Sequence, residues 1–252
     1  MSESIILKLG GSVLTDKSGD CAIDHRKLAA IARDITGLGR RALLLIHGAG
    51  SCGHPQAQQY HLDRGLSAEY IGGVYETHAA VCTLNAAAVE ALRKENIEAI
   101  GVHPFDSAIA EGGRLVSFAS LPLTMMQERG IVPVLHGDVV MDRLRGATII
   151  SGDQLVSYLA PSLGVTRVGL ATDVPGVLQD GKVIHRLPLS TANSVAVGES
   201  THTDVTGGMQ GKIAELTVLA EHGIESHIFH VSRIRDFLRG SDHGGTVVEA
   251  RR

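Results

Sequence analysis

The sequence predicts an α/β protein built on a largely parallel sheet, and three observations carry that prediction. Short apolar runs of strand length alternate with helical patterns from end to end. The runs are apolar at nearly every position, as strands covered on both faces require. Several of them end in glycine turns.

Taken in order, Ile5–Leu9 reads as the first strand. Asp24 is placed to cap a helix that continues to about Leu38, and Ala42–His47 is the next strand. A long helical stretch runs from roughly Glu69 to Glu95. Along it Ile71, Tyr75, His78, Cys82, Asn85, Val89 and Leu92 recur three or four apart and form one stripe. Strands follow at Ala99–His103, Ile131–His136, Arg167–Ala171 and Ser226–Val231, with helices near Leu121–Arg129, Asp153–Leu163 and Gly208–His222. Arg114–Phe118, Asp142–Ile150 and Val177–Ile184 read as small hairpins, the last turning at Gln179-Asp180-Gly181-Lys182. The polar segment Leu189–Thr206 reads as a mobile loop. Without repeats or a linker, the 252 residues make one domain with two lobes, about 1–165 and 166–252.

Composition narrows the function. The formal net charge is −4 with no basic block, and aromatic residues are 3% of the chain with no Trp, which argues against a nucleic-acid partner. Three scattered cysteines, Cys21, Cys52 and Cys82, suggest a reduced cytoplasmic protein rather than a disulfide framework. The start, MSESIILKLGGS, carries no basic n-region and reads directly into a strand, so no signal peptide is expected. No apolar run approaches the ~20 residues of a membrane span.

Three glycine turns stand beside cations: KLGGSVLTDK (8–17), HGAGSCGHP (47–55) and TDVTGGMQGK (203–212). Glycine lets backbone amides approach an anion closely, and a following helix N-terminus favours negative charge. Lys8 lies inside an apolar run, where an unpaired charge is costly. It either snorkels from an edge strand or faces an anion beyond the carboxyl end of the sheet, where open α/β sheets place ligands. Gly48, Gly50 and Gly53 also satisfy the G-x-G-x-x-G dinucleotide fingerprint, but the expected second strand ending in an acid does not follow. His47, His54 and His61 share a seven-residue spacing, yet a helical metal site would have to run through Gly48–Gly53. No protein metal ligand is assigned.

The motifs ILKLGGSVLTDK, HGAGSCGHP, VPVLHGDVV, IISGDQL, ATDVPGV and DVTGGMQGKI resemble, in order and over nearly the whole chain, the amino acid kinase superfamily. The loop ending in His54 is most similar to its isopentenyl phosphate kinase branch. The resemblance implies an αβα sandwich around a mainly parallel sheet, a homodimer, an acceptor in the N-terminal lobe and ATP with Mg²⁺ in the C-terminal lobe. It implies that Lys8, Gly10, Gly11 and Ser12 face the ATP phosphates and the transferred group, and that Lys17 stabilises the transition state. Ala49, Gly50 and Gly53 would line the acceptor loop, His54 would bind the acceptor phosphate, and Gly152 would lie beside it. Asp153 would hold the lysines, Thr172 and Asp173 would form the nucleotide turn, and Gly208 and Lys212 would meet the β and γ phosphates. The same resemblance puts an acceptor-pocket helix over the long helical stretch, with Tyr75 and Val81 limiting chain length. Cys52 and Pro175 depart from the branch, which commonly has an aromatic residue and Asp there.

The chemistry fits these residue types. A phosphate acceptor is already an oxyanion, so transfer onto it is a problem of positioning and charge neutralisation. Alternatives remain: another small phosphate or phosphonate such as fosfomycin, an amino-acid carboxylate, a ligand-sensing module on a kinase fold, or a dinucleotide oxidoreductase. Asp138, in HGDVV, either supports the loops between the lobes or opens a hairpin.

Overall fold

The computed structural model describes residues 3–16, 21–37, 42–188 and 208–251. Numbered in chain order, the strands are β1 (Ser4–Leu9), β2 (Thr15–Asp16), β3 (Ala22–Ile23), β4 (Ala42–His47), β5 (Ala99–Gly101), β6 (Ala108–Glu111), β7 (Arg114–Phe118) and β8 (Val132–His136). They continue with β9 (Asp138–Asp142), β10 (Gly146–Ile150), β11 (Arg167–Thr172), β12 (Leu178–Gln179), β13 (Lys182–Val183), β14 (Arg186–Leu187), β15 (Ser226–His230) and β16 (Thr246–Val248). The helices are α1 (His25–Ile35), α2 (His54–Gln59), α3 (Ile71–Lys94), α4 (Pro104–Ser107), α5 (Leu121–Glu128), α6 (Gly152–Ser162), α7 (Gly208–Glu221) and α8 (Ile234–Arg239).

The main sheet has the order β14-β16-β15-β11-β1-β4-β8-β5. Every neighbouring pair is parallel except β15 with β16. Strand alternation sorts its side chains onto two cores. Ile6, Leu44 and Ile46 pack with Leu155 and Leu159 of α6 and with Ile213 and Leu216 of α7. Ile5, Leu7, Leu43 and Leu45 pack with Leu28 and Ile31 of α1, Leu84 and Leu92 of α3 and Phe237 of α8. Helices therefore cover both faces, giving the three-layer αβα sandwich that the sequence implied. Lys8, two residues beyond Ile6, points to the α6/α7 side.

Asp24 caps α1 as expected, its carboxylate accepting from the Arg26 and Lys27 amides. The expected hairpins around residues 114 and 142 prove to be halves of one four-stranded sheet, β10-β9-β6-β7. Asp142 ties them together, accepting from the amides of Gly112, Gly113, Leu144 and Arg145. The stripe expected on the long helix is rotated over its N-terminal half: the buried positions of α3 are Gly73, Thr77, Val81, Leu84, Asn85, Ala88 and Leu92. Packing decides this, because Gly73 faces the ring of Tyr60 and Val81 faces Gly53. The expectation of unpaired thiols is also corrected. Cys21 and Cys52, 31 residues apart, form a disulfide, because the β2–β3 hairpin folds onto the loop after β4, with the Cys21 amide donating to Ser51 O at 3.1 Å. The segment read as a mobile loop, 189–206, lies outside the described residues.

Candidate active site

β1 and β4 are adjacent and parallel, so their C-terminal loops leave the sheet side by side. The Gly48 amide donates to Leu9 O at 3.0 Å, and the Gly10 amide to Ala171 O at 2.9 Å. The two loops then touch backbone to backbone. A Cβ on Gly11 would stand 2.3 Å from Gly50 N, closer than any side chain allows. Gly50 has φ +55° and meets Thr15 Oγ1, where a Cβ would lie at 2.5 Å. Thr15, not singled out from the sequence, locks the pair: its hydroxyl donates to Gly11 O (3.2 Å) and accepts from Ser51 N (3.1 Å). Ser12 sits in the short turn Gly11–Val13 between these contacts. Ala49, Gly50 and Gly53 belong to the second loop, and His54, partly buried, begins α2 directly after it.

Behind the loops lies a compact set of charges. Lys8 is 3% exposed and Asp153 5%. Lys8 Nζ is 2.8 Å from Asp153 Oδ1, and Lys212 Nζ is 3.5 Å from Asp153 Oδ2. Burial on its own would raise the Asp153 carboxyl, but Lys8 and then Lys212 outweigh it and hold the group below the ordinary carboxylate range. Asp153 is delivered by α6, whose N-cap Ser151 accepts from the Gln154 amide. Gly152 lies under Lys8, its Cβ position 3.3 Å from Lys8 Cε. Lys212 stands in the second turn of α7, which Gly208 opens and which packs against α6. Two lysines share one carboxylate beside the glycine loops. This arrangement suits a polyanion.

At the end of β11, the hydroxyl of buried Thr172 donates to Val174 O (2.8 Å), holding the turn in which Asp173 stands exposed. Asp138 supports the connection on the other flank, accepting from His78 Nδ1 (3.0 Å), Phe105 N (3.2 Å) and Val139 N (2.9 Å). Val81 is buried against Gly53. Tyr75 is 74% exposed and does not join the buried face of α3. A side chain facing water cannot serve as the floor of an apolar pocket in this structure, so that expected role is not met. Lys17 and Thr203–Gly207 lie outside the described residues.

The amino acid kinase family profile matches residues 3–230. The isopentenyl phosphate kinase of Haloferax volcanii is 39% identical over 246 residues, covering 97% of this chain and 98% of that protein. That of Methanothermobacter thermautotrophicus is 40% identical over 263 aligned positions, again covering 97% and 98%. A crystal structure of an isopentenyl phosphate kinase superposes with a TM-score of 0.85 at 34% identity, covering 97% of this chain and all of the other.

Proposed function

The chain belongs to the amino acid kinase family, among the isopentenyl phosphate kinases, and from this premise we infer that it transfers the γ-phosphoryl group of ATP to isopentenyl phosphate. An acceptor phosphate oxygen forms the new P–O bond as the bond to the ADP oxygen breaks, giving isopentenyl diphosphate and ADP. The observation that carries this reading is the set of buried Lys8 and Asp153 with half-buried Lys212, beside two interlocked glycine loops. Because the acceptor oxygen is already anionic, no strong base is needed, and the work is to hold two polyanions together.

Lys8, Gly10, Gly11, Ser12 and Lys212 face the ATP phosphates in this reading, with Gly208 at the start of α7 favouring negative charge. Asp153 neutralises part of the lysine charge and fixes both ammonium groups. Lys17 meets the charge that develops during transfer. Preorganised donors of this kind are each worth roughly 3 to 4 kcal/mol in the transition state. Ala49, Gly50, Gly53 and Gly152 border the acceptor phosphate, and His54 donates to it. Thr172 and Asp173 shape the nucleotide turn. Val81, packed on Gly53, borders the prenyl tail. Both Asp153 oxygens face lysines, so the site fits Mg²⁺ held by nucleotide phosphates and water rather than by this carboxylate. Bound there, Mg²⁺ would offset phosphate charge.

We place the acceptor in the lobe up to about residue 165 and the nucleotide base in the remainder. Charged substrates that do not cross membranes favour a cytoplasmic location, and no helix among the described residues is long and apolar enough to cross a membrane. A homodimer would cover exposed apolar groups such as Ile100 on edge strand β5 and Leu121 and Met125 on α5. A coupled ADP-release assay with isopentenyl phosphate, fosfomycin and glutamate tests the assignment. Turnover should be greatest with isopentenyl phosphate, and a higher kcat/KM with either rival would overturn it.

A further inference from the structure

One group of side chains has no part in phosphoryl transfer. His78 and Cys82 stand one turn apart on α3. His103 caps α4 just beyond β5, and His136 ends β8. Their donor atoms converge. Cys82 Sγ lies 3.4 Å from His103 Nδ1 and 3.4 Å from His78 Nε2, and His103 Nδ1 lies 2.9 Å from His136 Nε2. Cys82 Sγ, His103 Nδ1 and His136 Nε2 all fall within 4.8 Å of one another.

The outer nitrogens are already committed. His136 Nδ1 is 3.1 Å from the carbonyl oxygen of Gly137, so it carries the proton and donates. Its Nε2 is then an unprotonated lone pair aimed into the cluster. His78 Nδ1 donates to both oxygens of the buried Asp138 carboxylate, at 3.0 and 3.1 Å. In the neutral ring its Nε2 is likewise a bare lone pair, directed at Cys82. A carboxylate or carbonyl behind a histidine fixes ring orientation and raises donor strength in metal centres.

We propose that Cys82, His103 and His136 form a binding site for a divalent cation of the zinc class, with His78, beside Cys82, moving in as the fourth ligand. Three imidazoles and one thiolate are a donor set that selects Zn²⁺ over Mg²⁺ or Ca²⁺. Tetrahedral zinc with bonds of about 2.0–2.1 Å to nitrogen and 2.3 Å to sulfur sets its donors roughly 3.3–3.6 Å apart. Cys82–His103 and Cys82–His78, both at 3.4 Å, already match, and the 2.9 Å between His103 and His136 has to open by about half an ångström. On binding, the Cys82 thiol loses its proton to solvent, and His103 takes the tautomer with the proton on Nε2. The cation would pin α3 to β8 and to the β5–α4 connection, beside Val81 and the acceptor loop.

The test uses the whole protein, stripped with chelator but without reductant so that the Cys21–Cys52 disulfide persists. Cys82 is then the one thiol of the three cysteines. Zn²⁺ is titrated against a chromophoric competitor, and Co²⁺ serves as a spectroscopic probe. The expected result is one Zn²⁺ per chain, a thiolate-to-cobalt charge-transfer band, and a rise in melting temperature with added Zn²⁺. Cys82→Ser should remove the band, and Asp138→Asn should weaken Zn²⁺ binding about 10- to 100-fold. His103→Gln is the second ligand variant should Cys82→Ser fold poorly. Absence of the band in the wild-type protein, or Zn²⁺ affinity unchanged in a folded ligand variant, overturns the proposal.

Discussion

At the end of β1, Lys8, Asp153 and Lys212 hold full charges together out of water. Two strands away, at the end of β8, His136 meets His103, with Cys82 and His78 alongside, and the donors are soft. The first set is organised by opposite charge: its carboxylate is ionised because lysines overcome its burial. The second is organised by hydrogen bonds to a carbonyl and a carboxylate, and burial pushes His136 well below the ordinary imidazole range. His47, at the end of intervening β4, belongs to both regions: its carbonyl lies over Gly152 and its ring stacks on His136 at 5.6 Å. The difference teaches how one sheet edge sorts ligands. Fixed ammonium groups suit phosphate oxygens, and neutral lone pairs suit a borderline metal.

The largest effect should come from breaking the charged set. Asp153→Asn removes the buried carboxylate that both lysines face, which costs about 3–5 kcal/mol. Urea unfolding should register that loss, and kcat should fall with it. The sign of the pH dependence follows from the lowered carboxyl. Its contribution is complete above the ordinary carboxylate range, near 3.9, and is lost only as pH falls through the still lower folded-state value. The wild-type charge set therefore survives at pH 5.

Weakening between pH 6.5 and 4 should come instead from buried histidines, His136 and His47 among them, and in part from a histidine pair elsewhere on the sheet. His227 is lowered to about 4, first by burial and then by His243 and Arg167. The Gly245 amide donates to His243 Nδ1, so His243 Nε2–H donates to His227 Nδ1 at 3.0 Å. The Phe237 ring lies tilted against His227, and Glu225 lies 3.5 Å from its Nε2. Folding thus favours neutral His227, and up to about 3 kcal/mol is fully present above pH 6.5 and lost as pH falls toward 4. His227→Gln should make that limb of the stability profile shallower. An equally steep limb in the variant would move the effect to other groups.

His54→Ala sharpens the comparison from the acceptor side. If, as proposed, His54 donates to the acceptor phosphate, losing that charge-assisted bond, worth about 1.5–3 kcal/mol, should cut kcat/KM for isopentenyl phosphate roughly 10- to 150-fold, with the KM for ATP little changed. The smallest effect belongs to a half-buried counterpart of Asp153. Asp24 is also lowered, chiefly by the Lys27 amide at the start of α1. Asp24→Ala should cost only about 1 kcal/mol in thermal unfolding and leave kcat near normal.

Much of this molecule was legible before folding. Unbroken apolar runs such as Ile5–Leu9 and Ala42–His47 announce strands covered on both sides, since a half-exposed strand would alternate. Lys8 within such a run announces a partner, because a bare ammonium there is too costly. Asp153 was legible through its motif. The face of α3 was less so: the three-and-four spacing placed Ile71 and Tyr75 on one stripe with Asn85 and Leu92, yet both are exposed. Helical spacing gives a period but not a phase, and the ring of Tyr60 over Gly73 sets that phase.

The sequence by itself determined the alternation of strands and helices, the glycine loops and the cations beside them, because these are local patterns constrained by backbone sterics and burial. Only the tertiary structure decided which distant groups meet. It joined Cys21 to Cys52, set Thr15 between two loops, made one sheet of two hairpins, and gathered His78, Cys82, His103 and His136 from three elements. The physical reason is that such encounters depend on strand order and helix phase. Both are fixed by packing between segments far apart in the chain, and no local spacing records them.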